Sequence, residues 1–138
     1  DPKTFLSTGG GYFKDSKAIY TDGAIVSGVD YKTFKNFPTT RFSLDTNHVY
    51  VSLTQGKLDI VPSADSATFT AISENYGKDK NFVYFKNRKV SGADPATFRA
   101  VTYVGLDKNH YYEFDKILNS PSESQYGGWE ALGVEVSL

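Results

Sequence analysis

Two short signatures recur in step along this chain, and together they restrict it to a repeat architecture. The pair Thr-Phe stands at Thr4-Phe5, Thr33-Phe34, Thr68-Phe69 and Thr97-Phe98, each with an Asp three residues earlier: Asp1, Asp30, Asp65 and Asp94. The intervals are 29, 35 and 29 residues. In phase with them runs an Asp that opens a turn (Asp15, Asp45, Asp79, Asp107), followed five residues later by a Tyr (Tyr20, Tyr50, Tyr84, Tyr112). A period of about 30 residues means stacked copies of one supersecondary unit. The spacing divides a single repeat domain, residues 1–138, into units 1–28, 29–63, 64–92 and 93–118 with a C-terminal segment, 119–138.

Each unit reads as a short helical turn followed by a small β-meander. In the third copy Asp65 has the N-cap role, accepting hydrogen bonds from amides the chain leaves free. Asp94-Pro95 and Asp1-Pro2 strengthen this signal, because Pro is preorganised for the first helical position. Val29, Ala64 and Ala93 precede the Asp, and with the Phe they have the spacing of a hydrophobic staple. Next, Tyr76-Gly77-Lys78, the turn Asp79-Lys80-Asn81 and Phe82-Val83-Tyr84-Phe85 read as strand, tight turn, strand. A further turn leads into Val90, for a total of two or three short strands in each unit.

The longer interval comes from the second copy, where Val49 to Pro62 lengthens the outer hairpin around Gln55-Gly56 and offers Leu58, Ile60 and Val61 as extra strand. After the fourth hairpin, Asn119 to Gly128 reads as a loop. Trp129 to Leu138 then alternates through Leu132, Val134, Val136 and Leu138, which predicts a strand that caps the last repeat. The expected fold class is mainly β: four tandem hairpin or meander repeats, each with a short helical turn, plus a C-terminal capping strand.

The segment Tyr76 to Phe98, with its partial echo Asp107-Lys108-Asn109-His110-Tyr111-Tyr112, resembles the DKNYY family of bacterial repeat proteins. The resemblance runs over nearly all of residues 1 to 118, strongest in copies three and four, with degenerate turns at Ser16-Lys17 and Thr46-Asn47. It implies a β-rich repeat domain and a bacterial source, and no established activity.

Charge and composition narrow the function classes. Charged residues make up 22% of the chain, are scattered, and sum to -1, which leaves no basic footprint for nucleic acid. No Cys is present, so disulfides, thiolate zinc sites and Cys nucleophiles are excluded. No apolar run approaches the roughly 20 residues of a membrane span. The chain starts within a motif and without Met, so a trimmed upstream signal or lipid anchor, and with it a periplasmic, cell-surface or secreted location, is the expectation. Aromatic rings are dense, with 10 Phe, 10 Tyr and 1 Trp, and suit sheet surfaces.

No catalytic, metal or cofactor constellation stands out. The Asp-Lys-Asn turns supply one carboxylate and one amide, too few for a calcium loop and enough for a turn. His48 and His110 follow the turn Asn in two copies, where Ala18 and Phe82 stand in the others, so the position has a loose requirement. Gly9-Gly10-Gly11 lacks the Lys-Ser/Thr of a phosphate loop, and no Gly-x-Ser-x-Gly elbow occurs. The Glu residues have no spacing that singles out a glycosidase pair.

The expectation is therefore a non-catalytic domain, with no cofactor, that binds another protein through the variable second hairpin and the C-terminal loop. The candidate residues are Thr54, Gln55, Lys57, Glu123, Gln125, Tyr126 and Trp129. One concrete form is an immunity-type inhibitor of a cognate toxin. The alternative is a cell-surface carbohydrate-binding module in which Tyr126 and Trp129 are exposed stacking platforms.

Overall fold

In the computed structural model, which describes residues 2–135, the strands form four antiparallel four-stranded sheets, each a meander in chain order. Sheet 1 holds β1 (Leu6–Gly9), β2 (Tyr12–Lys14), β3 (Ile19–Thr21) and β4 (Ala24–Val26). Sheet 2 holds β5 (Lys35–Asn36), β6 (Phe42–Leu44), β7 (Val49–Thr54) and β8 (Lys57–Ile60). Sheet 3 holds β9 (Thr70–Ala71), β10 (Tyr76–Lys78), β11 (Val83–Phe85) and β12 (Arg88–Lys89). Sheet 4 holds β13 (Arg99–Val101), β14 (Val104–Leu106), β15 (Tyr111–Glu113) and β16 (Lys116–Leu118). Every unit thus has four strands rather than the two or three expected, because the chain turns straight into β1, β5, β9 or β13 after the Thr-Phe pair. The insertion in the second unit lengthens β7 and β8, and a bulge between Val51 and Thr54 absorbs the mismatch.

The helical turn before each first strand is a single turn. The N–H of Thr33 donates to the Asp30 carbonyl at 3.2 Å, and Thr68 and Thr97 repeat the bond to Asp65 and Asp94 at 3.3 Å. The hydroxyls of Thr33, Thr68 and Thr97 donate to the carboxylates of those Asp residues at 2.8, 2.7 and 2.7 Å. The equivalent Asp1 lies outside the described residues.

Alternation along the strands gives each sheet two faces. The back face of one sheet packs on the front face of the next. Phe42, Val49 and Val51 from the back of sheet 2 share a core with Phe69 and Tyr84 from the front of sheet 3. Tyr76, Val83 and Phe85 share a second core with Phe98 and Tyr112. Between sheets 1 and 2, Tyr12 meets Phe34. One ring pair marks each junction with nearly constant geometry: Tyr12 with Phe34 at 5.4 Å, Phe42 with Phe69 at 5.2 Å, Tyr76 with Phe98 at 5.4 Å. The recurring Phe is therefore the residue that joins one unit to its predecessor.

Behind two of these rings the sheet has no side chain. A Cβ on Gly77 would lie 2.2 Å from the Phe69 ring, and one on Gly105 would lie 2.5 Å from the Phe98 ring. The glycines are the floor on which the rings lie.

At the C-terminal end the sequence-based expectation is corrected. Trp129–Leu132 is a 3-10 turn rather than the start of a strand, closed by the left-handed Gly133, and the remaining expected positions 136–138 lie outside the described residues. Glycines in left-handed conformation on both sides, Gly128 and Gly133, interrupt an extended path. The capping role itself is present: Trp129 and Leu132 form a core with Val104 on the back of sheet 4.

Gly77→Ala is expected to destabilise the domain by about 1–3 kcal/mol through overpacking. Gly127→Ala, where an added Cβ meets nothing within 4 Å, serves as the near-neutral control. Denaturant unfolding of both variants is the check; equal midpoints would remove the role of the glycine floor.

Candidate functional site

The two sequence signatures converge on one buried cluster, repeated along the chain. In the third unit the Asp79 carboxylate accepts from the Asn81 and Phe82 N–H groups at 2.8 Å, from the Tyr84 hydroxyl at 2.8 Å and from the Asp65 N–H at 2.9 Å. The Thr68 hydroxyl oxygen accepts from the Lys80 N–H at 3.0 Å. Asp45 and Asp107 have the same set of partners, with Tyr50 and Asp30, and with Tyr112 and Asp94. In the first unit Asp15 holds the Lys17 and Ala18 N–H groups and the Tyr20 hydroxyl. The carboxylate thus closes its own turn and pins the start of the same unit beside it.

The electrostatics follow from this geometry. Burial pushes the Asp45, Asp79 and Asp107 carboxyls up, but the hydrogen bonds from Tyr and backbone N–H outweigh it and hold all three below the ordinary value. Burial first, and then the neighbouring carboxylate, push the Tyr50, Tyr84 and Tyr112 phenols well above theirs. The geometry thus favours the ionised carboxylate and the neutral phenol in each pair. His48 and His110 are exposed, and the Nδ1 of each lies 3.5 and 3.4 Å from the Tyr50 and Tyr112 hydroxyls. The contacts of the two His therefore lie in separate units. Among the described residues, no group of three or more His, Asp or Glu is placed to hold a metal ion.

The residues proposed from the sequence fall into two groups. Thr54, Gln55 and Lys57 are exposed at the β7–β8 hairpin, where the Gln55 amide reaches Asp22 of sheet 1 at 3.4 Å. There the hairpin borders a polar cleft of about 340 Å3, lined among others by Tyr12, Asp22, Arg41, Gln55 and Glu74. Arg41 is already committed, donating to Asn75 at 3.0 Å and to the Ser52 carbonyl at 3.1 Å, so it holds sheet 2 to sheet 3. Glu123, Gln125 and Tyr126 lie instead against sheet 4. There the Gln125 N–H donates to Glu113, and Tyr126 packs on Tyr103 and Phe114 at 5.0 and 5.3 Å. Sheet 3 stands between the two groups in the stack.

Trp129 is 3% exposed and belongs to the core, because its ring fills behind Val104 the slot that a recurring Phe fills in the other junctions. An exposed platform built on Trp129 is thereby corrected; of the two rings considered, only Tyr126 reaches solvent.

Sequence reasoning missed the front face of sheet 1. Phe13 and Tyr20 pair across β2 and β3 and point away from sheet 2, and Phe5 lies over them, 5.3 Å from Phe13 and 5.9 Å from Tyr20. Phe5 is 49% exposed, whereas Phe34, Phe69 and Phe98 are 4–6% exposed. Phe13, 37% exposed, takes the place of Ser43, Gly77 and Gly105 in the other sheets. The available signal was Phe13 itself, a bulky ring where two copies have Gly.

Two outcomes follow from the buried Asp–Tyr pairs. Tyr84→Phe, which leaves Asp79 short of one hydrogen bond, is expected to cost about 1–3 kcal/mol in denaturant unfolding. In the folded state the carboxyls titrate below their unfolded value near 4, so their contribution is full above that pH and is lost on acidification. The phenols titrate above their unfolded value near 10, so theirs is full below that pH and is lost in alkali. A stability profile flat between about pH 5 and 9 and falling on both sides is the expected result.

Among the described residues no helix is long and apolar enough to cross a membrane. No curated protein and no solved structure matches the chain. The profile of the DKNYY family matches residues 42–128, starting at β6 and running into the C-terminal loop. The match starts later than the resemblance over residues 1 to 118 suggested, and the first unit shares the geometry rather than the profile. With more than half of its length matched, the chain belongs to the DKNYY family.

Proposed function

We propose that this domain is a non-catalytic protein-binding scaffold. The observation that supports this reading is the open front face of sheet 1. Phe5, Phe13 and Tyr20 form an aromatic surface that its counterparts in sheets 2–4 bury against a neighbour. Aromatic rings exposed together on a rigid sheet favour a macromolecular partner over a small polar ligand. The polar cleft beside the second hairpin adds a variable edge next to sheet 1. In this reading the domain works in a bacterial envelope or secreted setting, and an immunity-type inhibitor is one concrete form.

The test is capture by the immobilised domain from envelope and secreted fractions at low and high salt, with Phe13→Lys and Tyr126→Ala in parallel. One partner retained at high salt by wild type and by Tyr126→Ala, and lost with Phe13→Lys, is the expected result. Equal retention by Phe13→Lys, checked for an unchanged melting curve, would sink the reading.

A further inference from the structure

We infer that the occupant of the open front face is another four-stranded sheet of this same repeat kind, docked as sheets 1, 2 and 3 dock on their successors. The inference rests on the protein-binding reading and names the partner's chemistry. Continuity with the internal junctions carries it. Each front face in this chain consists of a Thr-Phe ring and a carboxylate-bonded Tyr, and sheets 2 to 4 place it under the back of a preceding sheet. Sheet 1 has the same parts already in position. The Tyr20 hydroxyl is bonded to Asp15 at 2.9 Å, and Phe5 lies 5.9 Å from Tyr20 at a tilt of 51°. The corresponding pairs Phe69–Tyr84 and Phe98–Tyr112 have tilts of 48° and 54°. Phe5 therefore keeps the interior rings' tilt to the Tyr, and among the described residues it is 49% exposed where they are 4–6%.

The face also indicates which sheet would fit. The Phe5 ring lies nearly parallel on Phe13, at 8°, so the aromatic layer is one ring thicker than over Gly77 or Gly105. Bulk is exchanged across these junctions: where the back residue is small, Val104, the cover is the large Trp129. A thick front face therefore calls for a small residue at the position of Tyr12, Phe42 and Tyr76. The back of sheet 4 offers such a residue, but Trp129 and Leu132 already cover it, so a second copy does not present that face.

Sequence compatibility makes the test direct. Asp1-Pro2-Lys3-Thr4-Phe5 matches Asp94-Pro95-Ala96-Thr97-Phe98, so residues 64–93 placed ahead of Asp1 recreate a native junction. The probe is that fusion carrying Tyr76→Val in the added copy, compared with the same fusion carrying Tyr76→Lys there and with the unfused chain. The Val fusion is expected to raise the melting temperature and to slow amide exchange at Phe13 and Tyr20 about tenfold or more. The Lys fusion is expected to do neither.

Unchanged exchange at Phe13 and Tyr20 in the Val fusion overturns the inference. So does concentration-dependent protection of these amides in the unfused chain, which would make a second copy the occupant. If the fusion is inert while Phe13→Lys still abolishes partner capture, the inference falls and the protein-binding reading stands. If the fusion protects the face while no partner is captured, the protein-binding reading falls and takes with it the inference that a partner supplies such a sheet.

Discussion

A buried carboxylate accepting from two turn amides, a tyrosine hydroxyl and a distant backbone N–H is the interaction on which each unit depends. Hydrogen bonds to an ionised acceptor are the strong class, and a carboxylate with Oδ1 and Oδ2 both occupied tolerates burial at 1–7% exposure. Because Oδ1 closes the turn and Oδ2 receives the Tyr and the start of the unit, one side chain fixes three segments at once. The hairpin keeps its register and the Thr-Phe turn has a fixed place beside it. The recurring ring is then aimed at the neighbouring sheet.

Two kinds of contact divide the work. Polar bonds organise the interior of a unit, while rings and branched side chains join one unit to the next. A smaller set of polar links crosses the junctions at the turn end: Asn36 to the Gly9 carbonyl, Arg41 to Asn75, and Asn75 to the Thr102 carbonyl. The Tyr76 hydroxyl adds a link at 2.9 and 2.8 Å from the Tyr103 and Phe114 carbonyls. These bonds fix the rotation of one sheet on another, which a ring packed on glycine alone would leave loose.

Much of this was legible in the sequence because the same residues are repeated. Comparing Asp15, Asp45, Asp79 and Asp107 separates the turn-forming Asp from the variable position held by Ala18, His48, Phe82 and His110. The first strand of each unit was not legible, since a pair such as Thr70–Ala71 is too short to show alternation. Nor was the bond from the Asp65 N–H to Asp79, which joins two signatures that sequence can show only as running in phase. The final segment misled because Leu132 and Val134 fit a strand period equally well when Trp129 and Leu132 belong to one tight turn. At the surface, the variable loops drew attention by their composition, while the open face of sheet 1 is visible only once the packing partners of Phe34, Phe69 and Phe98 are known.

The split between polar bonds inside a unit and rings between units bears on how such a chain can lengthen over evolutionary time. A duplicated segment of one repeat brings along the carboxylate, the hydroxyl and the amides that satisfy one another, so this cluster arrives with no orphaned polar group. At each boundary it asks of its neighbours that the apolar bulk of the two faces match and that the few crossing bonds, such as those of Arg41, Asn75 and Tyr76, find acceptors. The array is thus extendable by copying, with adjustment gathered at the junctions, at apolar positions such as Phe13, Gly77 and Val104 and at the crossing polar ones, Arg41 and Asn75.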